Sequence, residues 1–286
     1  MNKTGAKTSV YELVTNRIIE QLEKGVVPWQ KPWTGVRSGA YNRISKKPYS
    51  IINQMLLLHK GEYATFKQWS DLGGHIKKGS KSEMVVFWKL FQVDEKQKDG
   101  TTKKKNVPML RYYNVFHISQ VEGVEPLKKD ELKDTKPIDE AEKVLNDYWT
   151  RENVTIHKEA SNRAFYSPLM DSITLPLIEQ FQYAEEYYST AFHESVHSTG
   201  HKTRLDRLKL GLDASFGSET YSKEELVAEI GSAMMVNMLG IETDKSFRNS
   251  ASYIKSWLEV LKNDSRFIVS ASSKAEKAVN YILGVE

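Results

Sequence analysis

His193-Glu194-Ser195-Val196-His197 is the stretch that decides how the rest of this sequence is interpreted. Two histidines four residues apart lie on one face of a helix, so their imidazoles can bind one divalent metal ion. The intervening Glu194 can act as a general base toward a water molecule at that ion. The spacing therefore predicts a zinc-peptidase type of site, with His193 and His197 as ligands and Glu194 as the catalytic residue.

A third ligand is expected from a second helix. Apolar residues at spacings of three and four predict one helix over 177–198, which holds the motif, and another over 222–240. The second helix presents Glu225 and Glu229 on one face. Its E-x-x-A-acid pattern resembles zincin families in which the first acid binds metal, which favours Glu225 as ligand and Glu229 as the residue that orients a histidine. The alternative is a capping box with Ser222, which would turn Glu225 back toward the helix start.

Two further residues are candidates for the same site. His201 follows the motif too closely to match the metzincin spacing, so we expect it to lie behind a ligand or to face substrate rather than to bind metal. An ordinary solvated loop histidine is the alternative. A peptidase also needs a donor to the developing oxyanion, for which His201 and Tyr253 are the candidates.

Composition limits the class of protein. The chain has 286 residues, 40% of them hydrophobic, and no cysteine, so disulfides and thiolate ligands are excluded. No run of about twenty apolar residues is present, which argues against a membrane span or a membrane partner. Residues 1–8 lack the apolar core of a signal peptide, and we expect a cytoplasmic location.

The charge is distributed unevenly, which predicts two domains. Residues 1–125 carry a net +10 and the remainder a net −6. A charged, proline-containing segment near 126–137 is the predicted linker, followed by a second domain over 138–286. The elements indicated are helices over 8–24, 50–59, 65–69, 138–149, 251–262 and 273–283, and strands over 84–93, 110–118, 154–156 and 163–175. The charged residues 94–106 are expected to form a mobile hairpin tip. These patterns predict an α+β fold, with a mainly helical second domain that holds a small sheet.

The basic half has the composition of a single-stranded nucleic-acid surface. It contains four of the six tryptophans, interleaved with cations, and bases stack on aromatic rings while Lys and Arg contact phosphates. Trp69, Trp88, Phe91 and Phe116 are expected in the core, whereas Trp33 and Tyr49 are candidates for stacking. No motif for reading duplex sequence is present. The residues predicted to contact DNA are Trp33, Arg43, Lys46, Lys47, Tyr49, Lys77, Lys78 and Lys81.

Several short motifs occur in order along nearly the whole chain. They are Gly25-Val26-Val27-Pro28-Trp29-Gln30-Lys31-Pro32-Trp33, Asn42, Pro48-Tyr49, Asn53, Thr65-Phe66-Lys67-Gln68-Trp69, Ile76-Lys77-Lys78-Gly79, Tyr166-Ser167-Pro168, Asp171-Ser172-Ile173-Thr174-Leu175-Pro176, His193 to His201, Arg204-Leu205 and Glu224 to Glu229. In these motifs the chain resembles the ArdC-type antirestriction proteins of conjugative plasmids and phages. It departs from them at residues 44–47, where the family has a glycine turn.

The resemblance implies a single-stranded-DNA-binding domain followed by a zincin-like metallopeptidase domain, which together protect DNA entering a recipient cell from restriction. The cofactor implied is Zn²⁺, with Mn²⁺ as another possibility, and the partners are single-stranded DNA and an unidentified protein or peptide. Two alternatives stay open. The chain could be a DNA-binding shield with a structural or inactive metal site, or a standalone metalloprotease whose basic half binds a protein.

Overall fold

The fold combines helices with three small sheets, as the α+β prediction requires. In the computed structural model the described residues are 8–24, 27–28, 39–96, 102–127, 137–161, 163–181, 183–208, 219–241 and 250–285. Among them, no helix is both long enough and apolar enough to cross a membrane.

The N-terminal half holds short helices around a four-stranded sheet. Its helices are α1 (Val10–Glu23), α2 (Ile51–Leu56) and α3 (Phe66–Asp71), and its strands are β1 (Ala40–Asn42), β2 (Gly61–Ala64), β3 (His75–Ile76), β4 (Glu83–Lys96), β5 (Thr102–His117) and β6 (Val121–Glu122). The sheet order is β1-β2-β5-β4, and β3 pairs separately with β6. Helix α1 begins at a reciprocal capping box between Ser9 and Glu12.

The β4–β5 hairpin is longer than the sequence predicted. Residues 94–106 were expected to form a mobile tip, yet the antiparallel ladder continues to the pair Lys96 and Thr102. The prediction was wrong because opposite charges face each other across the strands. Asp94 lies opposite Lys104, and such cross-strand pairs stabilise an exposed ladder.

The turn at residues 44–47 keeps its shape without glycine. The Asn42 carboxamide oxygen accepts hydrogen bonds from the backbone N–H groups of Ile44 and Ser45, which closes the turn locally. Lys46 then adopts a left-handed conformation with φ of 57°. A lysine therefore occupies a backbone position that glycine would adopt with less strain.

The C-terminal half is mainly helical, with one three-stranded sheet. Its helices are α4 (Pro137–Arg151), α5 (Ala184–Ser198), α6 (Glu219–Met238), α7 (Ser250–Asn263) and α8 (Phe267–Leu283), and its strands are β7 (Thr155–Glu159), β8 (Phe165–Ser167) and β9 (Ser172–Pro176). The sheet order is β7-β9-β8, with β7 parallel and β8 antiparallel to β9. The strand predicted over 163–175 is therefore two strands, joined by a turn in which Asp171 is left-handed with φ of 47°.

The helix that carries the histidine motif is shorter than predicted. It begins at Ala184 rather than at residue 177, because the preceding segment is a single 3-10 turn over Ile178–Gln180. The Gln180 side chain accepts the N–H groups of Leu177 and Ser161 and so holds that segment against the loop before β8. Helix α8 is longer than predicted, because it begins at Phe267 and not at residue 273.

One hydrophobic core includes residues from both halves of the chain. Val14 and Ile18 of α1 and Met55 of α2 belong to the same buried cluster as Trp257 and Ala275 of the C-terminal helices. Helix α1 packs against α7, and α2 packs against α8. Burial of this apolar surface is the main term that holds the halves together. The domain boundaries near residues 125 and 138 stay a prediction.

Candidate functional site

Helices α5 and α6 pack closely and place the histidines of one beside the acids of the other. Gly231 of α6 faces Val196 of α5, where a β-carbon would lie 2.8 Å from a valine methyl group. The absence of a side chain at Gly231 therefore sets how near the two helices approach. The Ser232 hydroxyl also donates to the Ser189 carbonyl oxygen of α5 at 2.7 Å.

Helix α4 fixes the opposite face of α5. The Trp149 indole N–H donates to the Ser195 hydroxyl oxygen at 2.9 Å, and that hydroxyl donates to the Ala191 carbonyl. The Tyr148 hydroxyl lies 2.8 Å from that of Ser198. Ser195 and Ser198 are fully buried. The two polar residues within and beside the motif therefore anchor the helix from behind, which leaves His193 and His197 facing α6.

His193, His197 and Glu225 bring three potential ligand groups together. The two Nε2 atoms lie 3.1 Å apart. Glu225 places one carboxylate oxygen 3.2 Å from His197 Nε2 and the other 3.6 Å from His193 Nε2. A tetrahedral ion with bonds of about 2.1 Å needs ligand atoms roughly 3.4 Å apart, so the donors match this geometry in both chemistry and spacing.

The helix boundary decides between the two interpretations of Glu225. Helix α6 begins at Glu219, so Ser222 lies inside it and not at its N-cap. The proposed capping box therefore does not form, and Glu225 faces the histidines instead. Glu229 lies one turn further, with a carboxylate oxygen 3.6 Å from the other ring nitrogen of His193.

Glu224 is a member of the site that the sequence reasoning missed. Its carboxylate lies 3.7 Å from His197 Nδ1, the ring nitrogen that faces away from Glu225. Arg207 donates to Glu224 at 2.8 Å, to the Thr199 hydroxyl at 2.7 Å and to the Val196 carbonyl at 2.8 Å. Both imidazoles thus have an acid on each side, and such outer acids orient ligating histidines. The sequence feature that could have identified Glu224 is its position directly before Glu225.

The electrostatics of the metal-free cluster favour charged histidines. Burial opposes a charge on His197, but hydrogen bonds with Glu224 and Glu225 and the charge of Glu194 outweigh it and raise the pKa of His197 to about 10. Burial also opposes a charge on His193, but its hydrogen bond with Glu225 and the charges of Glu194 and Glu229 raise the pKa of His193. Burial likewise opposes ionisation of Glu225, yet both imidazoles hold its pKa well below the usual range. In the absence of metal, protons on the histidines therefore balance the buried carboxylates.

We expect metal affinity and metal-free stability to change in opposite directions with pH. The pKa of His197 is raised from an ordinary 6.5 to about 10, so its proton stabilises the metal-free fold fully below pH 6.5, and this contribution is lost as pH rises through 10. A metal ion must displace the protons of His193 and His197, so affinity should rise by at least about tenfold per pH unit in this interval. Mn²⁺ titration and the melting temperature of chelator-treated protein, both measured from pH 6.5 to 9, check this. A pH-independent affinity would contradict it.

The remaining site candidates lie in three different environments. Glu194 is 7% exposed and lies on α5 between the two histidines. His201 Nδ1 lies 2.8 Å from the Thr203 hydroxyl and 3.9 Å from Asp171, so it belongs to a polar cluster at the end of α5 rather than to the ligand set. Tyr253 lies within α7, and its side chain is outside the described residues.

Two of the predicted DNA contacts are structural residues. The Arg43 side chain is 13% exposed and forms an ion pair with Glu62. Tyr49 is 6% exposed and packs edge-on against Tyr63. Arg43 is held by its ion pair and Tyr49 is mostly buried, so the hairpin surface proposed below does not include them.

The predicted lysine contacts are exposed on the surface, and Trp33 lies outside the described residues. Lys46 and Lys47 are exposed in the turn after β1, and Lys78 and Lys81 are exposed around β3 and the start of β4. Lys77 is also exposed, and its ammonium group donates to the Ser119 carbonyl at 2.9 Å. These lysines supply positive charge in the turn after β1 and around β3 and the start of β4.

The hairpin presents exposed aromatic rings next to cations, which the sequence analysis did not predict. Trp88, expected in the core, is 54% exposed, because β4 extends beyond the hydrophobic core. On the other face of the hairpin, Phe87 and Tyr113 lie 6.0 Å apart, and Lys89 and Arg111 lie over the ring of Phe91 at 5.5 and 5.3 Å. We call Phe87, Lys89, Phe91, Arg111 and Tyr113 the hairpin face.

Comparison with known proteins identifies the family. Residues 8–116 match the N-terminal domain of the anti-restriction factor ArdC, and residues 140–274 match a zincin-like metallopeptidase domain. A crystal structure of the antirestriction ArdC protein from plasmid R388, metal-free, is 31% identical with a TM-score of 0.75, and the match covers 98% of this chain and 100% of that one. The chain belongs to the ArdC antirestriction protein family. A Mn(II)-bound structure of the R388 protein aligns with the same TM-score at 32% identity over 97% of this chain and 98% of that one.

Relatives known from sequence include larger proteins. A DNA primase TraC of Escherichia coli is 36% identical over 98% of this chain, but the chain spans only 20% of its length, and 27% of a second TraC. An uncharacterized protein of Sinorhizobium fredii, y4eC, is 32% identical over 96% of this chain and 92% of its own length. The zincin-like domain and the Mn(II)-bound neighbour point to a divalent metal as the cofactor.

Proposed function

We propose that this ArdC-family chain binds single-stranded DNA through its N-terminal half and carries a zinc-dependent peptidase site in its C-terminal half. In this proposal residues 1–125 form the DNA-binding domain, 126–137 the linker and 138–286 the peptidase domain. Together they protect incoming DNA of a mobile element from restriction. The convergence of His193, His197 and Glu225 at tetrahedral spacing carries the proposal.

The site residues take the following roles. His193, His197 and Glu225 would hold Zn²⁺, or Mn²⁺ in its place, and the two imidazoles with one carboxylate match the donors of catalytic zinc sites. When bound, the ion supplies Lewis acidity that lowers the pKa of water and polarises a peptide carbonyl. Glu194 accepts the proton of the attacking water and passes it to the leaving amine. Glu229 and Glu224 orient His193 and His197 through their outer nitrogens.

The hairpin face and the neighbouring lysines are the proposed DNA-binding surface. Exposed rings beside cations suit a strand whose bases stack and whose phosphates are neutralised. Lys46, Lys47, Lys77, Lys78 and Lys81 are exposed in the same half of the chain, and we include them in the proposed surface. Binding through phosphates and ring faces carries no sequence preference.

Replacing Lys89 and Arg111 together by Gln should weaken binding of a single-stranded oligonucleotide and flatten its salt dependence. Each lost phosphate contact lowers the slope of log affinity against log salt by about 0.7, so the double variant should lose about 1.4. Fluorescence anisotropy with a labelled oligonucleotide at several salt concentrations measures both quantities. The control is the double variant of Lys67 and Lys143, which are equally cationic and 84% and 73% exposed elsewhere. Equal slopes for the two double variants would exclude the hairpin face.

A further inference from the structure

A cavity of about 580 Å³ lies between the two halves of the chain, away from the metal ligands. The base of the hairpin and α2 form its N-terminal wall, and α6 and α8 form its C-terminal wall. It reaches the surface beside Phe87 and Trp88, which are 44% and 54% exposed. The cavity is therefore continuous with the proposed DNA-binding surface.

The walls of the cavity suit a flat ring. Phe87 and Trp88 supply aromatic surface, and Met234 and Met238 of α6 supply flexible thioether side chains opposite. Cavities that bind small aromatic groups are mostly apolar, with a few fixed polar groups that orient the occupant.

An amide and a carboxyl group are among the polar side chains that line the cavity. Asn237 lines the cavity and makes no side-chain hydrogen bond to any residue that the structure describes. Glu276 accepts the Ile51 backbone N–H, and burial raises the pKa of its carboxyl group. Gln54, by contrast, is committed to the backbone of Ala40 and Tyr49. An amide and a carboxyl group thus face the cavity with hydrogen-bonding capacity left.

This combination matches the chemistry of a nucleobase. An Asn carboxamide pairs with a base that offers a donor beside an acceptor, and a Glu carboxyl group accepts from an exocyclic amine. Unstacked bases of single strands are held by such edge contacts between aromatic side chains. We propose that this cavity receives one unstacked base of the bound single strand, an inference that rests on the proposed DNA binding. Asn237 and Glu276 would contact the edge of the base, and Trp88 would contact its face.

An apolar side chain of a protein partner is the competing occupant, and the observations favour the base. The cavity opens beside a surface that carries Lys89 and Arg111, in the half of the chain with a net +10. This positive charge attracts a polyanion such as a nucleic-acid strand to the opening of the cavity. An apolar peptide would leave the Asn237 carboxamide facing it without a hydrogen-bond partner among the described residues, which costs free energy.

The test blocks the cavity without touching the hairpin face. Ser273 lines the cavity from α8 and is exposed, so Ser273→Phe adds a ring at the cavity with little strain. The matched control is Ser270→Phe on the same helix, because Ser270 is also exposed but does not line the cavity. Asn237→Leu removes the amide at similar volume. Binding of the full-length protein to a labelled single-stranded oligonucleotide is compared with binding to a strand of the same length made only of abasic sites.

We expect Ser273→Phe and Asn237→Leu to bind the normal strand about five- to a hundredfold more weakly, the range that loss of one stacked base produces. Binding to the abasic strand should be unchanged, and Ser270→Phe should behave as wild type. A strand containing 5-iodouracil should cross-link to the peptide that contains Trp88.

Two outcomes would overturn the proposal, and they differ from failure of the proposed function. If the cavity variants bind the normal strand as wild type does, while the variant of Lys89 and Arg111 does not, DNA binding stands and the cavity proposal fails. If the cavity variants instead lose only binding of an apolar peptide, the cavity is a peptide site. If wild type binds no oligonucleotide at low salt, the proposed function itself fails.

Discussion

Glu194→Gln should reduce peptide hydrolysis by about 10²–10⁴-fold while the protein keeps its fold and its metal. Glutamine has nearly the same shape as glutamate but cannot accept the proton of the attacking water. Glu194 is buried, and helix α5 carries no other acid within one turn of it that could take over its role. Cleavage of unfolded casein by zinc-loaded wild type and variant, at matched protein concentration, measures the effect.

The matched control for this variant is Glu186→Gln, at a half-buried glutamate in the first turn of the same helix, outside the metal cluster. It should cleave at the wild-type rate. Metal content and far-ultraviolet circular dichroism should be equal in all three proteins. Wild-type activity in Glu194→Gln would show that another residue serves as the base, and the proposed mechanism would fail.

Glu225→Ala should abolish stoichiometric metal binding. It removes the only carboxylate that lies within 3.6 Å of both Nε2 atoms among the residues that the structure describes. The variant also leaves two partly buried histidines without the acid that lowers the cost of their charge, so metal-free Glu225→Ala should melt at a lower temperature below pH 6.5. Elemental analysis after zinc loading and desalting measures the first effect, and calorimetry measures the second.

Glu229→Ala is the control that separates a ligand from an orienting acid. Glu229 contacts only the outer nitrogen of His193, so its loss should weaken metal binding by about 10- to 100-fold and leave the stoichiometry at one under saturating zinc. The opposite ranking, with metal lost in Glu229→Ala and kept in Glu225→Ala, would exchange the two roles.

The proximity of His193, His197 and Glu225 could be predicted from the sequence because the information for it is local. The spacing of His193 and His197 depends only on helical periodicity, and the same holds for Glu225 and Glu229. The choice between ligand and cap at Glu225 depended on where α6 begins, and helix boundaries are set by tertiary contacts that a sequence pattern does not contain. Arg207 was missed for a related reason, since its contact with Glu224 requires the chain after α5 to turn back along that helix.

The side chains of the proposed nucleic-acid surface were harder to predict, because exposure is a tertiary property. Arg43 and Tyr49 lie in a polar, proline-containing segment that indicates a surface loop, yet β2 provides Glu62 and Tyr63 as buried partners for them. Trp88 lies in an apolar strand pattern typical of a core strand, yet the hairpin extends past the helices that would cover it. Composition showed that the positive charge is concentrated in residues 1–125, but it did not determine which side chains there face solvent.

Zinc K-edge X-ray absorption of the zinc-loaded wild-type protein shows directly whether His193, His197 and Glu225 bind the metal ion. We predict one zinc per chain, bound by two imidazole nitrogens and by oxygen donors at about 2.0–2.2 Å, and loss of the stoichiometric zinc in Glu225→Ala. A zinc surrounded by oxygen alone, or no zinc retained after loading, would show that His193 and His197 do not form a metal site.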